Sequence, residues 1–450
     1  MAVDKEELID EYEAKTVQSR KAFMSAAAHL PGGLTRTSLV RRPHPLFAKE
    51  AHGKELVDID GNRYLDFVMN LGPNLLGHAH PAIVEAVVEQ AHKGTGFGVP
   101  SPLEDEVAAL ITQTCPTAEK VRFALAGTDA NAFLTRMARA HTGRPKIVKF
   151  LGFYHGSAED LMLSNRPTKQ PFEGEDFASL PSTEGLMQGT THDVLAVQYN
   201  DLDALEQCIG RYRGQVAGII LDPTGNNCGL IQPEPGFLQG VAELARKSDI
   251  LLLFDEVVSG YRYGLGGAQA AFGVRPDLTS FGKALGGGLP LSAIVGRKEV
   301  MALLNVEPNG HSRVSQSGTF FGNPISLAAG RALLQFVTSK PSVYDHLNGL
   351  GERFRRGIAA IARKHGAPLL ASGSHSMVQL HFGLTSLVDY RDFARRDAVF
   401  REQFYLYAAL QGIFVPSPTG SFFMCTEHTD ADVDRLLGVL DEFTGKYVAR

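Results

Sequence analysis

The sequence predicts an α/β protein: a large domain on one mostly parallel sheet of seven strands, and a smaller α+β domain. Two observations predict it. The middle of the chain alternates short, continuous apolar runs with helix-patterned stretches, and after "TSKPSV" (338–343) the pattern changes to helices with a few shorter strands. Continuous apolar runs separated by helices are the mark of strands buried on both faces, because helices cover both sides of a parallel sheet.

In chain order, residues 1–70 hold an early helix, then "PGG" and "DIDGNRYLDF", a strand–turn–strand signal around Asp60-Gly61. Seven runs follow as expected strands: "VRFALA" (121–126), "KIVKFLG" (146–152), "VLAVQYN" (194–200), "VAGIILDP" (216–223), "ILLLFDEV" (250–257), "LTSFGKA" (278–284) and "LSAIVGRK" (291–298). "DANAFLTRMARAH" fits a helix between the first two, with Phe133, Leu134, Met137 and Ala138 on one face. The expected division is an N-terminal segment 1–70 that contributes to the small domain, a large domain 71–338 and a small domain 339–450. The polar stretch 163–194 carries few element signals and is expected to form a lid.

Composition narrows the class. The chain of 450 residues is 44% apolar and 21% charged, which suits a globular protein with a large core. Its net charge of −5 gives no electrostatic case for nucleic acid or an anionic membrane. "MAVDKEELIDEYEAK" lacks the apolar core of a secretory signal, and no run reaches the length of a membrane helix. Cys115, Cys208, Cys228 and Cys425 lie far apart without CxxC spacing, so neither zinc nor a disulfide framework is suggested. A cytoplasmic location is the expectation.

Ligands of open α/β sheets bind beyond the carboxyl ends of the strands. Three features fall there. Asp255 ends the most apolar strand, an awkward place for a charge without a partner. Lys283 sits in "TSFGKALGGGLP", where glycines let backbone and ligand approach closely. "GKA" before "GGG" superficially suggests a phosphate loop, but Ala284 replaces the Ser/Thr and the upstream glycine is missing. "LAGTDANAF" (125–133) turns a strand into a helix through Gly127 and Thr128, a ready anion site. Each alone has a bland structural explanation: a paired carboxylate, a surface lysine, a threonine cap. Together they meet the needs of pyridoxal phosphate: a lysine for a Schiff base, a carboxylate for the pyridinium nitrogen and a cradle for the phosphate.

The sequence resembles class III pyridoxal-phosphate aminotransferases of the glutamate-1-semialdehyde aminomutase-like branch. The resemblance runs over nearly the whole chain, through "PGGLTR", "DIDGNRYLDF", "LGHAHP", "SPLEDEVAAL", "VRFALAGTDA", "TGRPKIVKFLGFYHG", "FDEVVSGYRYGLGGAQAAFGVRPDLTSFGKALGGGLP" and "SGTFFGNPISLAAG". It implies a fold type I transferase that carries pyridoxal 5'-phosphate. It makes Lys283 the internal-aldimine lysine and proton carrier, and Asp255 the partner of the pyridine nitrogen. Val257 would pack on one face of the ring and Tyr154 on the other, with His155 beside it. Gly127 and Thr128 would hold the phosphate, and Asn227 a polar contact near the ring hydroxyl. Gly318 and Thr319 resemble the segment that reaches the partner subunit's phosphate, which implies a homodimer with a shared active site. No metal is implied, and His78 and His80 are read as structural.

Departures from the aminomutase pattern gather around the substrate. "LTRTSLVRR" stands where the aminomutase has "NSPVR", and Asn70 and Leu71 where it has serine and tryptophan. Gly420 falls where it has a glutamate; Ala126 and Asp129 replace a serine and a glutamate near the phosphate. "PGGLTRTSLVRRPHPL" instead resembles β-amino-acid transaminases, in which an arginine of this segment captures the substrate carboxylate, making Arg36 the clamp and Asn70 and Leu71 substrate contacts. The expected activity is a two-stage transfer of an amino group from an amino acid, β-amino acids included, or an amine to a keto acid. An aminomutase or racemase is the alternative, and a non-catalytic binding protein of the same fold the third reading.

Overall fold

The computed structural model describes residues 5–165, 177–187, 189–308, 310–416 and 420–448. The chain divides into two compact units: Pro81–Tyr344 with Val388–Arg391 forms the larger, and Met1–His80, Asp345–Leu387 and Asp392–Arg450 the smaller. The expected boundaries after 70 and 338 fall short of this division, because the "LGHAHP" turn is tied to the N-terminal strands: Gly53 and His78 exchange backbone hydrogen bonds at 2.8 and 2.7 Å.

In the larger unit all seven apolar runs enter one sheet. Its strands are β1 (Lys120–Ala124), β2 (Lys146–Phe150), β3 (Val194–Val197), β4 (Val216–Leu221), β5 (Leu251–Glu256), β6 (Leu278–Phe281) and β7 (Ser292–Gly296), in the spatial order β1-β7-β6-β5-β4-β2-β3. Only β7 runs antiparallel to its neighbours, β1 and β6. Every residue of β3 to β7 is buried, which explains why these strands are apolar throughout rather than alternating. The helix Gly127–Thr142 buries Phe133, Leu134, Met137 and Ala138 in a core shared with Ile147, Leu253 and Ile294 of the sheet, and stops at Gly143 with φ 70°.

In the smaller unit Ala48–His52, Glu55–Asp58 and Arg63–Asp66 form an antiparallel meander. Its second turn is the one expected at Asp60-Gly61: Asp58 Oδ1 accepts from the backbone N–H of Asp60 (3.0 Å) and Asn62 (2.8 Å), while Gly61 takes φ 86°. Ile413–Phe414 joins the meander in parallel beside Arg63–Asp66. Leu369–Ser372, Met377–Phe382 and Phe422–Phe423 make a second, three-stranded sheet. The N-terminal helix Lys5–Lys15 packs on the helix Ala398–Leu410, and Lys15 Nζ donates to the Leu410 carbonyl at 2.9 Å. No helix of the described residues is long and apolar enough to cross a membrane, and none of the four buried cysteines forms a disulfide.

Part of the expected lid, residues 166–176 and 188, lies outside the described residues. Its described base is fastened rather than loose. Ser164 N–H donates to the Leu180 carbonyl at 2.7 Å, Ser182 N–H to that of Met162 at 3.0 Å, and Leu163, Ser164 and Asn165 are buried.

Candidate active site

Three side chains and one backbone N–H converge on Asp255 at the carboxyl end of β5. Asp255 is 6% exposed, and its Oδ2 accepts from Asn131 Nδ2 and bonds His155 Nδ1, both at 2.8 Å. Its Oδ1 accepts from the Val257 N–H at 3.0 Å and, more weakly, from Ser280 Oγ at 3.5 Å. Ser280 stands directly across from Asp255 in the β5–β6 register. Asn131 uses its whole amide: Nδ2 also donates to the His155 carbonyl at 3.0 Å, and Oδ1 accepts from Ser280 Oγ at 2.6 Å. Burial pushes the pKa of His155 down against the pull of Asp255, which favours the neutral ring. Bonding to a carboxylate oxygen then puts its proton on Nδ1, leaving a lone pair on Nε2, a buried atom with no partner among the described residues. The carboxylate is therefore fixed in rotation by neutral donors, with its charge uncancelled.

Lys283 follows β6 and opens a single 3₁₀ turn, Lys283–Gly286. Its φ of 40° lies in the left-handed region, a strain of about 1–3 kcal/mol for a non-glycine residue. Burial holds its ammonium below the ordinary lysine range; Asp255 and Asp222 oppose that shift and Arg262 adds to it. Val257 is gripped between two glycines. A Cβ at Gly127 would lie 2.8 Å from Val257 Cγ1, and one at Gly282 would lie 3.1 Å from the same atom. Thr128 is bound to the "GFYHG" loop: its Oγ1 accepts from the Ser157 N–H at 3.2 Å, and a Cβ at Gly156 would fall 2.6 Å from that oxygen. Tyr154 in this loop is 43% exposed, beside buried Phe153. Asn227 is half-buried in the 3₁₀ turn Asn226–Cys228. Asp222 organises that turn by accepting from Thr224 N–H (2.9 Å), Thr224 Oγ1 (2.7 Å) and Asn226 N–H (3.0 Å). Burial and the charge of Asp255 push Asp222 up to about 6.

Two further features lie outside this hydrogen-bonded cluster. Gly318 is half-buried and Thr319 exposed, followed by Phe320 at 62% exposure, an unusual position for a large apolar side chain. Glu256, next to Asp255, holds up the following loop. It accepts from Ser259 Oγ, the Ala268 and Gln269 N–H groups and Gln269 Nε2 at 3.1, 2.6, 2.9 and 3.1 Å. Burial nevertheless pushes it up to about 7. A depression of about 770 Å³ lies at the amino end of the sheet, against Ile250, Leu252, Asp277 and Arg297, away from all these residues.

The three predicted substrate residues belong to the smaller unit. Arg36 and Asn70 are exposed and Leu71 half-buried, and all line a cavity of about 540 Å³ with Arg41, His78 and Tyr405. Met69, Asn70 and Leu71 all have positive φ (46°, 55°, 64°), and Gly72 follows at 112°. Asp66 braces this strained turn: Oδ1 accepts from the Val68 and Met69 N–H groups (2.6 and 3.2 Å), and Oδ2 bonds His78 Nε2 at 2.7 Å. Asn74 Nδ2 donates to His78 Nδ1 at 2.8 Å, so both ring nitrogens of His78 serve the turn. His80 is half-buried.

Comparison with known proteins decides the family. Residues 38–369 match the class III aminotransferases. The chain belongs to that family. It is 37% identical to glutamate-1-semialdehyde 2,1-aminomutase 2 of Brevibacillus brevis, over 93% of this chain and 96% of the relative. Among solved structures it resembles an omega-transaminase from Sphaerobacter thermophilus (TM-score 0.89, 35% identity, 94% of this chain and 96% of that one). It also resembles a β-phenylalanine aminotransferase from Variovorax paradoxus (TM-score 0.87, 30% identity, 98% of each). The fold is thus that of fold type I transferases, and the cofactor of this class III enzyme is pyridoxal 5'-phosphate. The residues present fit that group: a rigidly oriented carboxylate, a half-buried lysine of depressed pKa and a buried imidazole nitrogen without a partner among the described residues.

Asn131, Ser280 and Asp222 are missing from the sequence-based expectation. A signal existed for the first, since asparagine inside a helix is disfavoured unless its amide has a task. Ser280 follows from strand pairing, and Asp222 only from the turn it closes.

Proposed function

We propose that this class III enzyme is an aminotransferase that moves an amino group between an amino acid, β-amino acids included, or an amine and a keto acid, in two half-reactions. The observation that carries the chemistry is the Asp255–His155–Asn131–Ser280 network beside Lys283. When bound, pyridoxal phosphate supplies an electron sink for a carbanion next to the amino group. Asp255, held by neutral donors, keeps its negative charge for the ring nitrogen. Lys283 tethers the cofactor and, once released, takes and returns the proton at the substrate carbon. Its depressed pKa helps, because only a neutral amine is nucleophilic and basic. Gly127 and Thr128 would hold the phosphate, Val257 and Tyr154 would flank the ring, and Asn227 would serve its hydroxyl.

Transfer between two molecules is preferred over aminomutation for the substrate-side residues. Arg36 offers a carboxylate two parallel hydrogen bonds, and Asn70, Leu71 and Gly420 depart from the aminomutase pattern. The names of the Sphaerobacter and Variovorax structures support this reading. The name of the Brevibacillus relative favours the second reading, an aminomutase. Product analysis with and without an added keto acid separates them. Turnover that requires the keto acid is expected; isomerisation of a single substrate without it would establish the aminomutase. Lys283→Ala should abolish multiple turnover in either case. We also propose a homodimer in which Gly318 and Thr319 reach the partner's phosphate.

A further inference from the structure

Two arginines of the smaller unit, Arg401 buried and Arg41 half-buried, each have guanidinium nitrogens shut off from water without an acceptor among the described residues. Arg401, near the start of the helix Ala398–Leu410, is 2% exposed. It makes one long hydrogen bond, from Nη2 to the Gly420 carbonyl at 3.5 Å, and its Cζ lies 4.8 Å from the centre of the Phe422 ring. Its Nε and Nη1 are buried and meet no acceptor among the described residues. Arg41 donates from Nη1 to the Ser38 and Val40 carbonyls (3.1 and 2.7 Å), but its Nε is likewise buried without an acceptor. Removing a full charge and several N–H donors from water without compensation is costly.

Tyr405 connects the two groups. Tyr405 lies one helical turn after Arg401 on the same face, and Arg41 covers the Tyr405 ring at 5.4 Å. Burial and the charge of Arg41, with that of Arg396, lower Arg401 to about 9. Among the described residues no carboxylate pairs with either Arg41 or Arg401. Arg41 and Tyr405 both line the 540 Å³ cavity. Its wall holds two carboxylates: Asp66, occupied by Val68, Met69 and His78, and Glu50, exposed on the strand Ala48–His52.

We propose that Arg41 and Arg401 form a binding site for a small oxyanion, a carboxylate or a phosphate group, on residues other than the Arg36 assigned as carboxylate clamp in the same cavity. Such a group presents two or three oxygens to guanidinium N–H donors and supplies the counter-charge that neither arginine has among the described residues. The inference does not depend on which amine or keto acid the enzyme uses.

The test is calorimetric titration and thermal unfolding of the holoenzyme, whose cofactor phosphate site is filled, in chloride-poor buffer. Inorganic phosphate and glutarate are added separately. Saturable binding of at least one anion, with a rise in Tm, is expected, and the tighter of the two identifies the source. Arg401→Met should weaken binding at least tenfold, as should Arg41→Met, whereas Arg353→Met, at a surface arginine paired with Asp434 at 2.6 Å, should leave it unchanged. If Arg401→Met does not fold, Arg41→Met carries the same reading. The proposal is overturned if neither anion binds saturably to the wild type. It is also overturned if both variants bind as the wild type does, or if binding is lost only in Arg36→Met.

Discussion

At the scale of single residues, the site's central carboxylate is set by neighbours chosen for neutrality. A lysine or arginine hydrogen-bonded to Asp255 would cancel the charge proposed for the ring nitrogen; Asn131, Ser280 and neutral His155 orient it and leave it available. Asn131→Ala removes donors from both Asp255 and the His155 carbonyl, and about 10- to 100-fold lower kcat/KM is expected, equal to roughly 1.4–2.7 kcal/mol. Steady-state kinetics combined with the pH titration of the bound cofactor's absorbance checks this, since a merely structural residue would leave the titration unmoved. Asp222 gives a second test. Above about pH 6 it is ionised and helps to keep Lys283 protonated. In Asp222→Asn that support is gone, so the pKa of Lys283 should fall further, measured as the pH profile of its acylation in cofactor-free protein. An unchanged or raised value would contradict the assignment.

At the scale of elements, legibility followed burial and pattern. The seven strands could be read because each is apolar along its whole length, and the helix Gly127–Thr142 because its apolar face repeats at the helical period. Asp255 and Lys283 could be read because a charge and a glycine-flanked lysine break those patterns. What stayed hidden depends on distant pairing. Ser280 acquires its role by facing Asp255 across two strands, and nothing in "LTSF" announces it. Nor does the local sequence show that Val257 would press on both Gly127 and Gly282, a close approach that only the folded sheet creates. Gly127→Ala should therefore be destabilising by about 1–3 kcal/mol, read as a lower denaturant midpoint. Glu256 anchors a whole loop through Ala268 and Gln269. Glu256→Ala would strand those N–H groups and should cost about 2–4 kcal/mol, with a matching fall in Tm.

At the scale of the whole molecule, the exposed Phe320 beside Gly318 and Thr319 marks the surface proposed for the partner subunit. Phe320→Glu should shift the sedimentation coefficient towards that of a monomer and lower cofactor affinity, and an unaltered dimer would place the interface elsewhere. The smaller unit is also assembled from three separate stretches of chain. Its first helix buries Leu8 and Tyr12, packs on a helix that begins at Ala398, and its meander is extended by Ile413–Phe414. Those contacts bring together residues from opposite ends of the sequence, and long loops must close before any of them form. During synthesis the N-terminal segment therefore leaves the ribosome long before its partners exist, and its apolar positions must wait. The larger unit, continuous from Pro81 to Tyr344 apart from one short stretch, has no such delay. Newly made chains would thus pass through a state in which the first eighty residues are exposed, the interval in which a chaperone has most to protect.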